Sequence, residues 1–119
     1  MRKPALSAGI LFIAVVPVLL LPPPSFAQFA GNPTAGKTVY EKHCMACHGP
    51  QGKGDGPAGK MLKPPAADFT SAASKKKSDV DFKNVVENGK TGTAMGAWKS
   101  QLTQTEIGDV LAYVKALRK

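Results

Sequence analysis

Between Gln28 and Lys119, only 14 of 92 residues are isoleucine, leucine, valine or phenylalanine, about 15%. Charged chains below roughly 20% in these residues tend to stay disordered. A domain of this size already buries little apolar surface against the entropy of its chain. Its core must therefore be completed by something other than its own side chains. Cys44 and Cys47 are no remedy, because a disulfide across two intervening residues closes too small a loop to restrain the unfolded chain. A bound apolar group is the expected one.

The count starts at Gln28 because the preceding segment reads as a removable export signal. Met1-Arg2-Lys3 is a basic start, residues 5–21 carry no charge, and Ser25-Phe26-Ala27 places small residues where a signal peptidase reads. Cleavage is expected after Ala27, leaving a single domain of residues 28–119. The alternative is an uncleaved anchor, for which a 17-residue apolar run is at the short limit. Pro17 and the break at Pro22-Pro23-Pro24 favour removal. Under either reading the domain leaves the cytoplasm, and a periplasmic address is expected.

Three stretches read as helices, and no alternating strand-like run of useful length is present. The first is expected over about Pro33–Met45, with Asn32 as N-cap and proline at the first helical position. The second is expected over about Asp79–Asn88, capped by Ser78 and ended by Gly89, with Phe82, Val85 and Val86 on its apolar side. The third opens on Thr103-Gln104-Thr105-Glu106, a capping box flanked by a Leu102/Ile107 staple. Its stripe is Ile107, Val110, Leu111, Val114 and Leu117. Between the first two helices runs a Gly/Pro/Lys-rich connection, Gly49 to Lys77, whose length suggests that it wraps a ligand. Lys75-Lys76-Lys77 reads as a solvated turn face.

At the end of the first helix stands Cys44-Met45-Ala46-Cys47-His48. A dithiol oxidoreductase would need a strand-rich scaffold that is not readable here. A zinc centre would need four ligands, and Cys44, Cys47, His43 and His48 lie too close in sequence to surround one tetrahedral ion. Covalent haem attachment remains. Cysteines three apart on a helical turn present both sulfurs on one side, each able to add to a haem vinyl group, and the adjacent His48 is then directed at the iron.

The opposite iron face decides function, since an open position permits gas or substrate chemistry and a closed one leaves electron exchange. Candidates are Met45, Met61, Met95 and His43. Met45 and His43 adjoin the attachment motif and cannot reach across the ring, and Met61 lies only 13 residues past His48. Met95 sits in Gly92-Thr93-Ala94-Met95-Gly96-Ala97-Trp98, a glycine-rich segment without the helical periodicity a core filler would need. It is the expected second ligand. A soft thioether there favours ferrous iron.

These residues resemble the small monohaem class I c-type cytochromes of bacterial periplasms, over essentially all of residues 28–119. The likeness rests on Gly36 and Tyr40 ahead of the cysteine motif, on Met95 with Trp98, and on Val110 and Tyr113 in the last helix. It implies an all-α class I cytochrome c fold, with three main helices and loops wrapped around one covalently attached haem c. It further implies a close crossing of first and last helices at Gly36, Tyr40, Val110 and Tyr113, and Trp98 near a haem edge or propionate. Pro64 or Pro65 would offer a carbonyl to the proximal imidazole. Many relatives carry proline directly after the ligand methionine, whereas this chain has Gly96, which leaves the Met95 segment less restrained.

The whole chain has a formal net charge of +8, with 16 basic against 8 acidic residues, and loses two of those charges with the export segment. Lys53, Lys60, Lys63, Lys75, Lys76, Lys77, Lys90 and Lys99 could ring an exposed haem edge and steer docking to an acidic redox partner. Solubility alone is the plainer account of any one of them. The address excludes nucleic acid, membrane contact is expected only through partners or a retained N-terminal segment, and a monomer is expected. The reading is a one-electron carrier rather than an enzyme. Its rivals are the haem subunit of a larger oxidoreductase and a five-coordinate gas sensor.

Overall fold

The computed structural model describes residues 30–119, with Met1, Arg2, Pro4 and Gly9. Apart from those four residues, the expected export segment, with its cleavage point before Gln28, lies outside the described residues. In order come α1 (Pro33–His43), α2 (Met45–His48), a 3-10 turn (Gly59–Met61), α3 (Ala72–Lys75), α4 (Asp79–Asn88) and α5 (Gln104–Leu117). Among the described residues there is no strand, so the fold is all-α, and no helix is long and apolar enough to cross a membrane.

Each long helix begins where its capping chemistry dictates. The Asn32 side chain accepts from the backbone of Thr34 and Ala35, satisfying two of the donors that open α1. At α4 and α5 the cap is reciprocal. Ser78 accepts from the Asp81 backbone and Thr103 from Glu106, while each carboxylate reaches back to the cap residue's N–H. Gly89 ends α4 at φ 76°, a conformation that glycine adopts without strain. The first helix stops two residues short of expectation, at His43, and the chain re-enters helix at Met45. The hinge is Cys44, whose carbonyl accepts from both Cys47 N–H (3.2 Å) and His48 N–H (2.9 Å).

The capping carboxylates tie stability to pH. Both sit below their ordinary range: Asp81 because the Ser78 hydroxyl and N–H donate to it, Glu106 because the Thr103 N–H and hydroxyl do. A depressed carboxylate contributes stability above its unfolded pKa, near 4 for these types, and loses it as pH falls through the lower folded value. The melting temperature of the ferric protein should therefore fall as pH drops below about 4, and Glu106→Gln should make that fall shallower. A slope unchanged by the substitution would assign the acid sensitivity elsewhere.

The last helix packs across the first. Gly36 is the crossing point, since a Cβ there would overlap the Asp109 carbonyl. Tyr40 and Tyr113 meet beside it with ring centroids 5.1 Å apart, and Tyr40 and Val110 are fully buried. The contact implied by the resemblance is thus present. Leu102 and Ile107, the staple pair, are both buried. The buried apolar side chains among the described residues are Tyr40, Phe69, Leu102, Ile107, Val110 and Val114. That is a thin core for 90 residues, and it borders a cavity of about 320 Å³. The shortage of apolar residues in the sequence reappears as this space.

Candidate functional site

Cys44 and Cys47 lie on one helical turn, and both line the cavity with His48 beside them. Both thiols are free and half-buried. Burial, with the nearby Cys47 thiol, pushes Cys44 up to about 11. A nucleophilic dithiol motif does the opposite, because the attacking species is the thiolate. The helical fold and the raised thiol both speak against a dithiol oxidoreductase.

The imidazole of His48 is held on two sides. Its Nδ1 lies 3.1 Å from the Ala67 carbonyl, and Phe69 stacks on its face at 4.5 Å and 21°. Burial lowers its pKa, opposed by the Ala67 hydrogen bond. The neutral ring donates from Nδ1 to that carbonyl and leaves the Nε2 lone pair for a metal. Pro64 and Pro65, expected to supply this carbonyl, line the cavity but do not make the bond. The reason lies in how the loop is pinned. Phe69 N–H donates to the Gly52 carbonyl at 2.7 Å, and the hydroxyls of Ser71 and Ser74 converge on the Asp68 carbonyl at 2.8 and 2.6 Å. These bonds hold residues 67–69, not the prolines, against the imidazole.

Met95 is the one methionine among the described residues that lines the cavity. Met61 is 79% exposed and outside it, and Met45 packs against the Tyr40 cluster. The Met95 segment lacks a proline but is not without restraint. Lys90 N–H donates to the Met95 carbonyl at 2.9 Å, Met95 N–H to the Thr93 hydroxyl at 3.1 Å, and that hydroxyl to the Lys90 carbonyl at 2.7 Å. Trp98 N–H closes the segment on the Val86 carbonyl at 2.9 Å. The Trp98 ring lines the cavity too and meets His43 edge-on at 5.2 Å.

The donor set fits a haem: two thiols on one turn, a neutral imidazole beside them, a thioether in the same cavity, and apolar walls from Phe82, Val85 and Val86 of α4 and Val110, Leu111 and Val114 of α5. Sequence reasoning missed Ala67, which acts through its backbone, and Phe69. A lone phenylalanine in a Gly/Pro/Lys loop is the signal that could have pointed to Phe69.

Comparison with known proteins gives the same picture. Residues 33–118 match the family model for cytochrome c. The chain is 33% identical over 97 residues to the Cbb3-type cytochrome c oxidase subunit CcoP of Azospirillum sp. (strain B510), covering 76% of this chain and 30% of that subunit. It is 29% identical over 91 residues to cytochrome c-554(547) of Halothiobacillus neapolitanus, covering 75% of this chain and all of the relative. Among solved structures it is similar to a chain of the Kuenenia stuttgartiensis reducing HAO-like protein complex Kustc0457/Kustc0458, with TM-score 0.62 and 28% identity over 70% of this chain and 41% of that one. The KustC0563 c-type cytochrome matches with TM-score 0.58 and 26% identity, over 71% of this chain and 98% of that one. The chain thus spans under a third of the oxidase subunit and the full length of the small cytochrome.

Proposed function

Because the chain belongs to the cytochrome c family, whose members carry electrons on covalently bound haem c, we propose that it is a one-electron shuttle with His48 and Met95 as axial ligands. Cys44 and Cys47 form the two thioether bonds. The observation that carries this reading is the placement of Met95, alone among the described methionines, in the cavity that holds Cys44, Cys47 and His48.

The haem supplies a ferric/ferrous couple. The chain's own residues do the rest. His48 offers Nε2 while Ala67 holds the proton on Nδ1, which fixes the tautomer and strengthens the ring as a ligand. With haem bound, the Met95 thioether would hold the iron opposite His48, leaving no open position for small molecules and favouring the ferrous state. The apolar side chains of α4 and α5 that line the cavity would keep water from a bound haem, and their low polarity would favour the less charged ferrous state.

The chain acts after export, with residues 1–27 removed, as a periplasmic carrier between redox partners. Exposed lysines support docking to an acidic surface, and Lys77 and Lys90 reach the cavity lining itself. A second reading makes the domain the haem subunit of a larger oxidoreductase. It is favoured by the similarity to a portion of an oxidase subunit, and stable co-purification with one large partner would support it.

The function is tested on haem-loaded protein matured in an oxidising periplasm. Ferrous spectra should be low-spin and unchanged by carbon monoxide. A ferrous form that binds carbon monoxide readily would sink the closed-iron reading and bring the gas-binding and enzymatic ones forward.

A further inference from the structure

An arginine at the C-terminal end of α5 is connected to His48 through two phenylalanine rings. The Arg118 guanidinium carbon stands 4.2 Å above the Phe82 ring. Phe82 meets Phe69 edge-on at 5.8 Å and 68°, and Phe69 stacks on His48. The arginine side chain is only 12% exposed. It donates to the Lys77 carbonyl at 2.6 Å and the Ser74 carbonyl at 3.4 Å, and to Asp79 at 3.1 Å. Ser74 in turn holds the Asp68 carbonyl, next to both Ala67 and Phe69.

Resting on His48 as an axial ligand, we propose that Arg118, Phe82 and Phe69 are a positioning set that fixes the plane of the proximal imidazole. The Ala67 hydrogen bond fixes one point of the ring, Nδ1, and leaves rotation about the axis of ligation less restrained. A flat partner on the face of the ring removes that freedom. Phe69 is this partner, and it comes from a loop with no helix of its own longer than α3. Its orientation depends on Phe82 and on the neighbouring Asp68 carbonyl that the Ser74 hydroxyl holds, and Arg118 stacks on Phe82 and donates to the Ser74 carbonyl. A planar fork that binds carbonyls while stacking on an aromatic face is what distinguishes arginine from lysine.

Packing alone is a weaker account of Arg118. An apolar side chain would fill the space without desolvating a charge, and the buried Nε has no hydrogen-bond partner among the described residues. Lys115 provides a built-in comparison. It pairs with the same Asp79 at 2.6 Å, but its side chain is 66% exposed and belongs to neither the ring series nor the carbonyl clamp.

The test uses ferric holoprotein and the proton NMR shifts of the four haem methyls, whose order and spread follow the orientations of both axial ligands. The Met95 methyl signal of the ferrous form, read in the same variants and unchanged in them, assigns any change to the imidazole. Arg118→Met and Phe82→Leu should each change the methyl pattern, whereas Lys115→Met should leave it as in the wild type. A wild-type pattern in Phe82→Leu would overturn the proposal, and this variant alone decides if Arg118→Met fails to yield holoprotein. An equal displacement by Lys115→Met and Arg118→Met would also overturn it, because charge near Asp79 would then be the cause. If wild-type protein lacked the shifted methyls of low-spin ferric haem, the axial reading would fall first, and the positioning role with it.

Discussion

Met95→Ala should lower the reduction potential by roughly 0.2 V, about a quarter of the 0.8 V range that axial ligands command. At about 59 mV per tenfold for one electron, that is a thousandfold or greater change in the ferrous-to-ferric ratio at fixed poise. The sign follows from ligand softness. Thioether sulfur stabilises ferrous iron, and water or hydroxide in its place stabilises ferric iron. Deleting the side chain leaves no described methionine to replace it, because Met61 is exposed and Met45 is turned into the Tyr40 cluster. The variant should become high-spin and bind carbon monoxide. It should still fold, because the Met95 segment is held by backbone groups and the Thr93 hydroxyl rather than by the thioether. A potential within experimental error of the wild type would mean that Met95 is not the ligand.

Without haem the domain should not fold. The cavity of about 320 Å³ leaves the inward apolar side chains of α4 and α5 without a packing partner, and each such side chain forgoes part of the roughly 1.5–3 kcal/mol that full burial contributes. A small domain has about 5–15 kcal/mol of stability in total. Water in the space does not replace that partner, since most of the wall is apolar. A Cys44→Ala, Cys47→Ala variant produced free of haem should therefore give a circular dichroism spectrum with little helix and no cooperative thermal transition. A helical variant that melts cooperatively would contradict this, and would mean that the helix caps and the α1–α5 crossing suffice alone.

Much of this architecture was legible from local chemistry. Both limits of α4 and the start of α5 follow from Ser78, Gly89 and the Thr103/Glu106 box, because a cap is a short-range interaction written in adjacent residues. The attachment turn was readable for the same reason, as its three functional residues lie within five positions. The Gly36 crossing was available only through family resemblance, since nothing near Gly36 in sequence says which helix passes over it. The course of residues 49–77 was not readable at all. No periodicity marks it, and its structure is set by scattered hydrogen bonds such as Phe69 N–H to Gly52 and Ser74 to Asp68. Hence the misplaced proximal acceptor: a backbone carbonyl has no signature in the side-chain sequence, so Ala67 was invisible and the prolines stood in for it. Arg118 was hidden differently. A terminal arginine reads as a solvated charge, and only the packed structure brings it onto Phe82.

The most direct test of the central claim, a haem iron held between His48 and Met95, is the proton NMR spectrum of the ferrous protein with methionine methyls isotopically labelled. An axial methionine lies under the haem ring current, so its methyl signal is displaced far upfield of every other methyl. One such signal is expected, and it should vanish in Met95→Ala while the remaining methionine signals keep their ordinary positions. A spectrum with no upfield methionine methyl, or one in which the signal survives Met95→Ala, would contradict the account.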